Sequence, residues 1–215
     1  MLRWVGRLLG SRPDTREDDV TDVWLVVGLG NPGPSYAGHR HNVGHLVLDE
    51  LADRMGTPLR AHKSGRADVA EGRLSGMPGT PGPRVVLARA RAYMNESGGA
   101  VSTLAKFYKV EPARIVAIHD ELDLPFGKLR AKLGGGDNGH NGLRSLRSSL
   151  ATGDFHRVRV GIGRPHGRQD VADFVLSNYS TVERKELPFQ VSDAADAVES
   201  LITDGLEKTQ QRFNS

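Results

Sequence analysis

The chain contains no cysteine, which excludes a disulfide framework, a thiolate metal site and a nucleophilic thiol, and suits a reducing compartment. Nowhere does it approach the roughly 18 uninterrupted apolar residues that a membrane-spanning helix requires. At the N-terminus Arg7 breaks a short apolar stretch, and Asp14, Glu17, Asp18 and Asp19 stand where a signal peptide would need small residues. Residues 1–20 therefore read as a polar extension. Strong charge imbalance is also missing: a net charge of +3 is compatible with a polyanionic partner if the basic residues cluster, and does not by itself identify one. No internal repeat is visible. Hydrophobic residues at 38% and charged residues at 26% of 215 place the chain in the globular class, at a length suited to one domain over residues 21–215.

The regular patterning predicts an α/β architecture. Val23 to Leu29 is nearly all apolar and β-branched, the signature of a strand buried on both faces. After a loop reaching Arg40, Val43, Leu46, Val47 and Leu51 recur at helical spacing, with Gly56 placed to end the helix. Further strands are expected at Ala67 to Leu74, Arg84 to Arg89, Arg114 to His119, Lys128 to Leu133 and His156 to Ile162. The Gly/Pro-rich stretch Ser75 to Pro83 reads as an exposed loop. Helices are expected around Val101 to Tyr108, from Asn141 to Leu150, and through Val191 to Ile202, the last preceded by the capping-box spacing of Ser180 and Glu183. Strands alternating with helices imply a single domain with a central, mostly parallel mixed sheet and helices on both faces, and ligands outside the strand ends.

Several motifs carry chemistry, and each has a plain alternative. Gly28-Leu29-Gly30-Asn31-Pro32-Gly33 has the spacing of a dinucleotide-binding fingerprint. In that fingerprint the helix begins inside the motif, whereas Pro32 and Pro34 delay it here until about Arg40, and Asp49 and Glu50 fall inside helical periodicity where the ribose carboxylate should end a strand. His41 and His45 are spaced as in a zinc helix, but Asn42 replaces the glutamate of that motif. Neither Ser97 nor Ser35 lies in a Gly-x-Ser-x-Gly frame, so Ser97 reads as a helix N-cap and Asn95 as a neutral donor and acceptor. His119-Asp120-Glu121-Leu122-Asp123 closes a strand, where α/β proteins place catalytic carboxylates. The glycine-dense run Gly134 to Gly142 opens a helix and suits either a phosphate cradle or a flexible loop.

Taken in order, GLGNPG, Tyr36, RHNVG, YMNESG, HDELD, GGGDNGHNGL and RVRVGIGRP resemble the bacterial peptidyl-tRNA hydrolases over about residues 23–210. Two departures flank the matched residues: His39 stands where many members have threonine, and Asp137-Asn138 where glycine or histidine is frequent. The resemblance implies hydrolysis of the ester between a peptide and tRNA by a histidine-activated water, in a cytoplasmic monomer, with no metal and no cofactor. It assigns His41 as general base and Asp120 as the carboxylate that orients it, a pairing that fixes the tautomer and stabilises the imidazolium. Asn31, Asn95 and Asn141 correspond to the family's polar pocket. One of the three amides stabilises the oxyanion, which one being open, and Asn31 tells a blocked from a free amino group. By the same resemblance Tyr36 and Tyr93 flank the substrate's 3′ end, and Lys132 and Arg159 grip its 5′-phosphate, so that recognition rests on acceptor-stem shape and end chemistry. The alternatives from other classes are a non-catalytic RNA-binding protein of the same fold and a nicotinamide-linked oxidoreductase.

Overall fold

The computed structural model describes residues 23–75, 80–165 and 167–214. The expected extension, residues 1–20, and residues 76–79 of the Gly/Pro-rich loop lie outside them.

Seven strands form one sheet in the order β2-β3-β4-β1-β5-β7-β6. Its centre is parallel: β1 (Val23–Gly28) pairs with β4 (Arg84–Ala90) and β5 (Ile115–Glu121), and β5 pairs with β7 (His156–Gly161). The edges are antiparallel, with β2 (Arg60–Ala61) and β3 (Ala67–Arg73) beside β4, and β6 (Leu129–Leu133) beside β7. The helices are α1 (Val43–Arg54), α2 (Ser97–Tyr108), α3 (Asn141–Leu150), α4 (Val171–Val175), α5 (Thr181–Thr203) and α6 (Leu206–Phe213). Among the described residues no helix is long and apolar enough to cross a membrane.

Strand alternation explains the continuous apolar runs. Val26 of β1, with Val116 and Ile118 of β5, packs with α1 and α5. Leu25, Val27, Ile115 and Ala117 face the opposite way, onto α2 and α3. Apart from half-buried Trp24, each residue of β1 is thus buried whichever face it takes, so no polar position interrupts the run. The same alternation decides where the polar end of β5 points. Asp120 continues the α1 side, while His119 and Glu121 continue the α2–α3 side.

Local signals set several helix ends as expected. Ser180 Oγ accepts the Glu183 N–H, and Glu183 returns the bond to the Ser180 N–H, a complete capping box. Gly56 follows the C-cap of α1 at φ 63°, a left-handed conformation that glycine takes without a Cβ penalty. Pro188 lies within α5, on its exposed first half. Ser97 differs from the expectation. A 3-10 turn over Met94–Glu96 runs straight into α2, so Ser97 is already helical, and its buried hydroxyl caps nothing.

Candidate active site

The site forms where β1 and β5 end against the start of α1. A Cβ on Gly44 would lie 2.5 Å from the Ile118 carbonyl oxygen, and one on Gly28 would lie 2.3 Å from the Gly44 carbonyl oxygen. Two glycines therefore let the helix rest directly on the strand ends. A 3-10 turn over Arg40–Asn42 precedes the helix and carries His41. There His41 Nδ1 meets Asp120 Oδ1 at 2.8 Å, with side chains 11% and 3% exposed. Because a carboxylate only accepts, the imidazole proton sits on Nδ1, and Nε2 is left as a basic lone pair. Burial alone would lower the His41 pKa, but the charge and hydrogen bond of Asp120 outweigh it and hold it above 6.5. Burial pushes Asp120 the other way, yet His41 and His140 together keep its carboxyl well below the usual carboxylate range.

His140 is a functional residue that the reading of the sequence did not single out. Its Nε2 lies 3.0 Å from the same Asp120 oxygen. Its Nδ1 accepts the N–H groups of Gly142 and Leu143, so His140 is the N-cap of α3. With Nδ1 accepting, the ring proton is on Nε2 and is donated to Asp120. The available signal was positional, since the residue just before a predicted helix is a cap and its side chain is aimed at the helix end. His41, Asp120 and His140 offer ligand atoms within 4.8 Å of one another, the spacing of a metal cluster. His140, however, presents a hydrogen and not a lone pair, which fits a hydrogen-bonded chain centred on one carboxylate oxygen.

The loop bearing Asn31 is fastened by Asn42, which the sequence marked only as standing where a zinc helix has glutamate. Asn42 Oδ1 accepts the Asn31 N–H at 3.0 Å, and Asn42 Nδ2 donates to the Asn31 carbonyl at 2.9 Å. Below Asn42, His45 Nδ1 lies 3.4 Å from that Nδ2, and burial with the nearby Arg89 charge pushes the His45 pKa down to about 4. Asn31 Oδ1 accepts the Met94 N–H at 2.9 Å, which commits one of its two oxygen lone pairs to the fold and fixes the amide with Nδ2 as the donor left for a ligand. Asn31 and Asn42 line a cavity of about 310 Å³, whereas His41, Asp120, His140 and Asn141 line a neighbouring cleft of about 410 Å³ walled by Val171 and Val175 of α4. Asn141 Oδ1 takes a hydrogen bond from Arg144, and Asn95 is exposed. Tyr36 and Tyr93 meet edge to face at 6.2 Å, and Tyr93 is 55% exposed, open to stacking on its free surface.

Arg40, buried beside His41, joins this loop to the wall of the cleft. Its guanidinium donates to Ser177 Oγ at 2.9 Å, to the Asn178 carbonyl and to Glu183 Oε2 at 2.7 Å, and lies over the rings of Phe174 and Tyr179. The expected cost of Arg40→Met is about 3 kcal/mol in urea unfolding, at the lower end for a buried pair because Glu183 keeps some solvent and its capping bonds. Arg40→Lys should restore only part, since one ammonium cannot span these acceptors. An unchanged urea midpoint in Arg40→Met would show that the network carries no stability.

Lys132 lies on the edge strand β6 and Arg159 on its neighbour β7, with Arg159 Nε donating to Glu121 Oε2 at 2.9 Å. The two sequence departures nearby are accommodated locally. Asp137 accepts the Gly139 N–H and pairs with Arg147, and Asn138 takes φ 48°, which its short polar side chain tolerates. His39 bridges to Asn178 and packs its ring against Tyr36.

A family model for peptidyl-tRNA hydrolase matches residues 25–215. A peptidyl-tRNA hydrolase of Arthrobacter sp. (strain FB24) is 56% identical over 196 residues, covering 91% of this chain and 98% of its own length. One from Frankia alni is 59% identical over 192 residues, covering 89% and 94%. The crystal structure of peptidyl-tRNA hydrolase from Acinetobacter baumannii matches with a TM-score of 0.81 at 34% identity, over 91% of this chain and 96% of that one.

Proposed function

The chain belongs to the peptidyl-tRNA hydrolase family and hydrolyses the ester joining a peptide to its tRNA, and we propose that His41 is the base that activates the water. The observation that carries this reading is the 2.8 Å contact between His41 Nδ1 and Asp120, which leaves Nε2 to take a proton. Water loses that proton to Nε2 as its oxygen attacks the acyl carbon, and Asp120 stays ionised beside the imidazolium. The carbonyl oxygen becomes an oxyanion, met by the N–H of a pocket amide. The intermediate then collapses, the bond to the ribose oxygen breaks, and His41 returns its proton to that oxygen. Peptide acid and free tRNA leave, and the mechanism calls on no metal or cofactor.

Around this centre, Tyr36 and Tyr93 flank the 3′ end, Asn95 and Asn141 complete the polar pocket, and Lys132 with Arg159 holds the 5′-phosphate. The catalytic domain is residues 21–215, with residues 1–20 outside it. The protein acts as a monomer, and a substrate made by translation supports a cytoplasmic location. Release of labelled peptide from N-blocked aminoacyl-tRNA by the purified protein tests the activity directly.

Asn31 is the residue proposed to distinguish blocked from free amino groups. Alanine there would also strip Met94 of its acceptor, so Asn31→Asp is the cleaner change: it keeps the oxygen for Met94 and removes the Nδ2 donor. Losing one hydrogen bond, about 0.5–1.5 kcal/mol, should slow cleavage of N-acetylated substrate several-fold. The new carboxylate should favour a free α-ammonium, so the kcat/KM ratio of N-acetylated to free aminoacyl-tRNA should narrow. A ratio equal to wild type moves the discrimination to Asn95 or Asn141.

A further inference from the structure

His119 is a buried titratable group that the mechanism leaves unused. It is 2% exposed and stands on β5 one residue before Asp120, so alternation along the strand sends the two side chains to opposite faces of the sheet. Its ring nevertheless reaches Asp120 through the main chain, with Nδ1 2.7 Å from the Asp120 carbonyl oxygen. A carbonyl only accepts, so the ring proton is on Nδ1 and is donated to that oxygen. Asp120 is therefore held by three imidazoles: His41 and His140 on one carboxylate oxygen, at 2.8 and 3.0 Å, and His119 on the backbone.

The strand ladder explains why that carbonyl needs a side-chain donor. The Ile118 carbonyl accepts from Leu29 on the β1 side, and the Glu121 carbonyl accepts from Ile162 on the β7 side. By alternation the Asp120 carbonyl faces the β1 side again, where Asn31 would be the next donor, but the Asn31 N–H is taken by Asn42. His119 supplies the missing bond. Its ring also packs against His140, with centroids 5.0 Å apart at an interplanar angle of 74°. The other ring nitrogen, Nε2, is buried with no hydrogen-bond partner among the described residues. A buried lone pair left unpaired costs free energy, and a phenyl ring would fill the same space without it, so what histidine adds here is the Nδ1 donor. Burial above all, reinforced by His140 and Arg157, pushes the His119 pKa down to about 3, which keeps the ring neutral.

We propose that His119 is a positioning residue for the reaction: its Nδ1–H bond to the Asp120 carbonyl, with its contact on His140, sets the Asp120 carboxylate where one oxygen meets both His41 and His140. The inference rests on the reading that His41 and Asp120 form the catalytic pair. His119 touches neither water nor ester, and acts only through the residue that orients the base.

The test measures hydrolysis of N-acetylaminoacyl-tRNA by His119→Phe and His119→Asn, and follows the His41 pKa separately by NMR titration of its ring C–H signals. Phenylalanine keeps a ring against His140 and removes the donor, whereas asparagine can place an amide N–H near the position of Nδ1 and loses the ring. His119→Phe should lower kcat about tenfold with little change in KM, because a displaced carboxylate orients the base less well. It should also lower the His41 pKa. A neutral His119 takes no charge away when it is replaced, so any such shift reports geometry. His119→Asn should recover part of kcat and of the His41 pKa. In a His41→Ala background, adding His119→Phe should reduce the residual rate little. If both variants leave the His41 pKa at its wild-type value, or if the loss of rate persists undiminished in His41→Ala, the inference is overturned. A lowered His41 pKa with unchanged turnover would keep the positioning role and remove the His41–Asp120 pair from catalysis.

Discussion

Replacing His41 by alanine is expected to lower single-turnover peptide release by about two to four orders of magnitude, the usual contribution of a positioned general base. The affinity for uncharged tRNA should remain close to wild type. Nε2 of His41 is the basic lone pair aimed away from Asp120, and the other ring on that carboxylate, His140, has its own lone pair occupied by two amide protons. His140 therefore cannot substitute as base. Binding is spread over phosphates and stacking, which the substitution does not touch. Asp120 keeps one of its two imidazole donors in the variant, so the fold should survive, as thermal unfolding can verify. Wild-type turnover in His41→Ala would remove this residue from the mechanism.

The second large effect is expected for Asp120→Asn, and its size depends on His140. In a histidine–aspartate pair an asparagine can turn its NH₂ toward the ring and lock the wrong tautomer, at a cost near 10⁴-fold. Here the oxygen must still accept from His140, whose proton is fixed on Nε2 by the Gly142 and Leu143 amides. The asparagine is thereby held oxygen-first toward both rings, and the loss is that of the charge alone, roughly 100-fold. Combining Asp120→Asn with His140→Ala frees the amide to turn over, and the rate should fall further than two independent losses predict. A double variant no worse than additive would sink this account.

The same substitution has a pH signature. Wild-type rate should rise with pH through an apparent pKa above 6.5, because His41 must be unprotonated at Nε2 and Asp120 holds its pKa up. With the charge removed, burial dominates and the midpoint should move downward. Stability follows with its own sign. Asp120 is more acidic folded than unfolded, so its contribution is present above a pH of about 4 and is lost as pH falls below it. His45 and His119, pushed down to about 4 and about 3 by burial, bind protons more readily unfolded, so stability should already decline as pH drops below 6.5. Urea midpoints measured from pH 7 to pH 4 check both signs, and a flat profile would contradict them.

Patterns carried by neighbours in the chain were legible from the sequence. The β-branched run at Val23–Gly28, the capping box of Ser180 and Glu183 and the terminator Gly56 are set by burial period and backbone conformation within a few residues. By contrast, α4 has only five residues and α6 only eight, of which Leu206 and Phe213 are the only apolar ones, so neither was picked out from the sequence. Helix α6 is tied down by amide bonds to Ala131, 79 and 83 residues away in the chain. His41 and Asp120 were picked out through the order of motifs, since no local rule links residues 79 apart. That His140 shares the Asp120 oxygen, that Asn42 clamps Asn31, and that His119 packs against His140 was decided only by tertiary structure. Each depends on strand register and helix packing, which join side chains distant in sequence and leave no periodic trace along it.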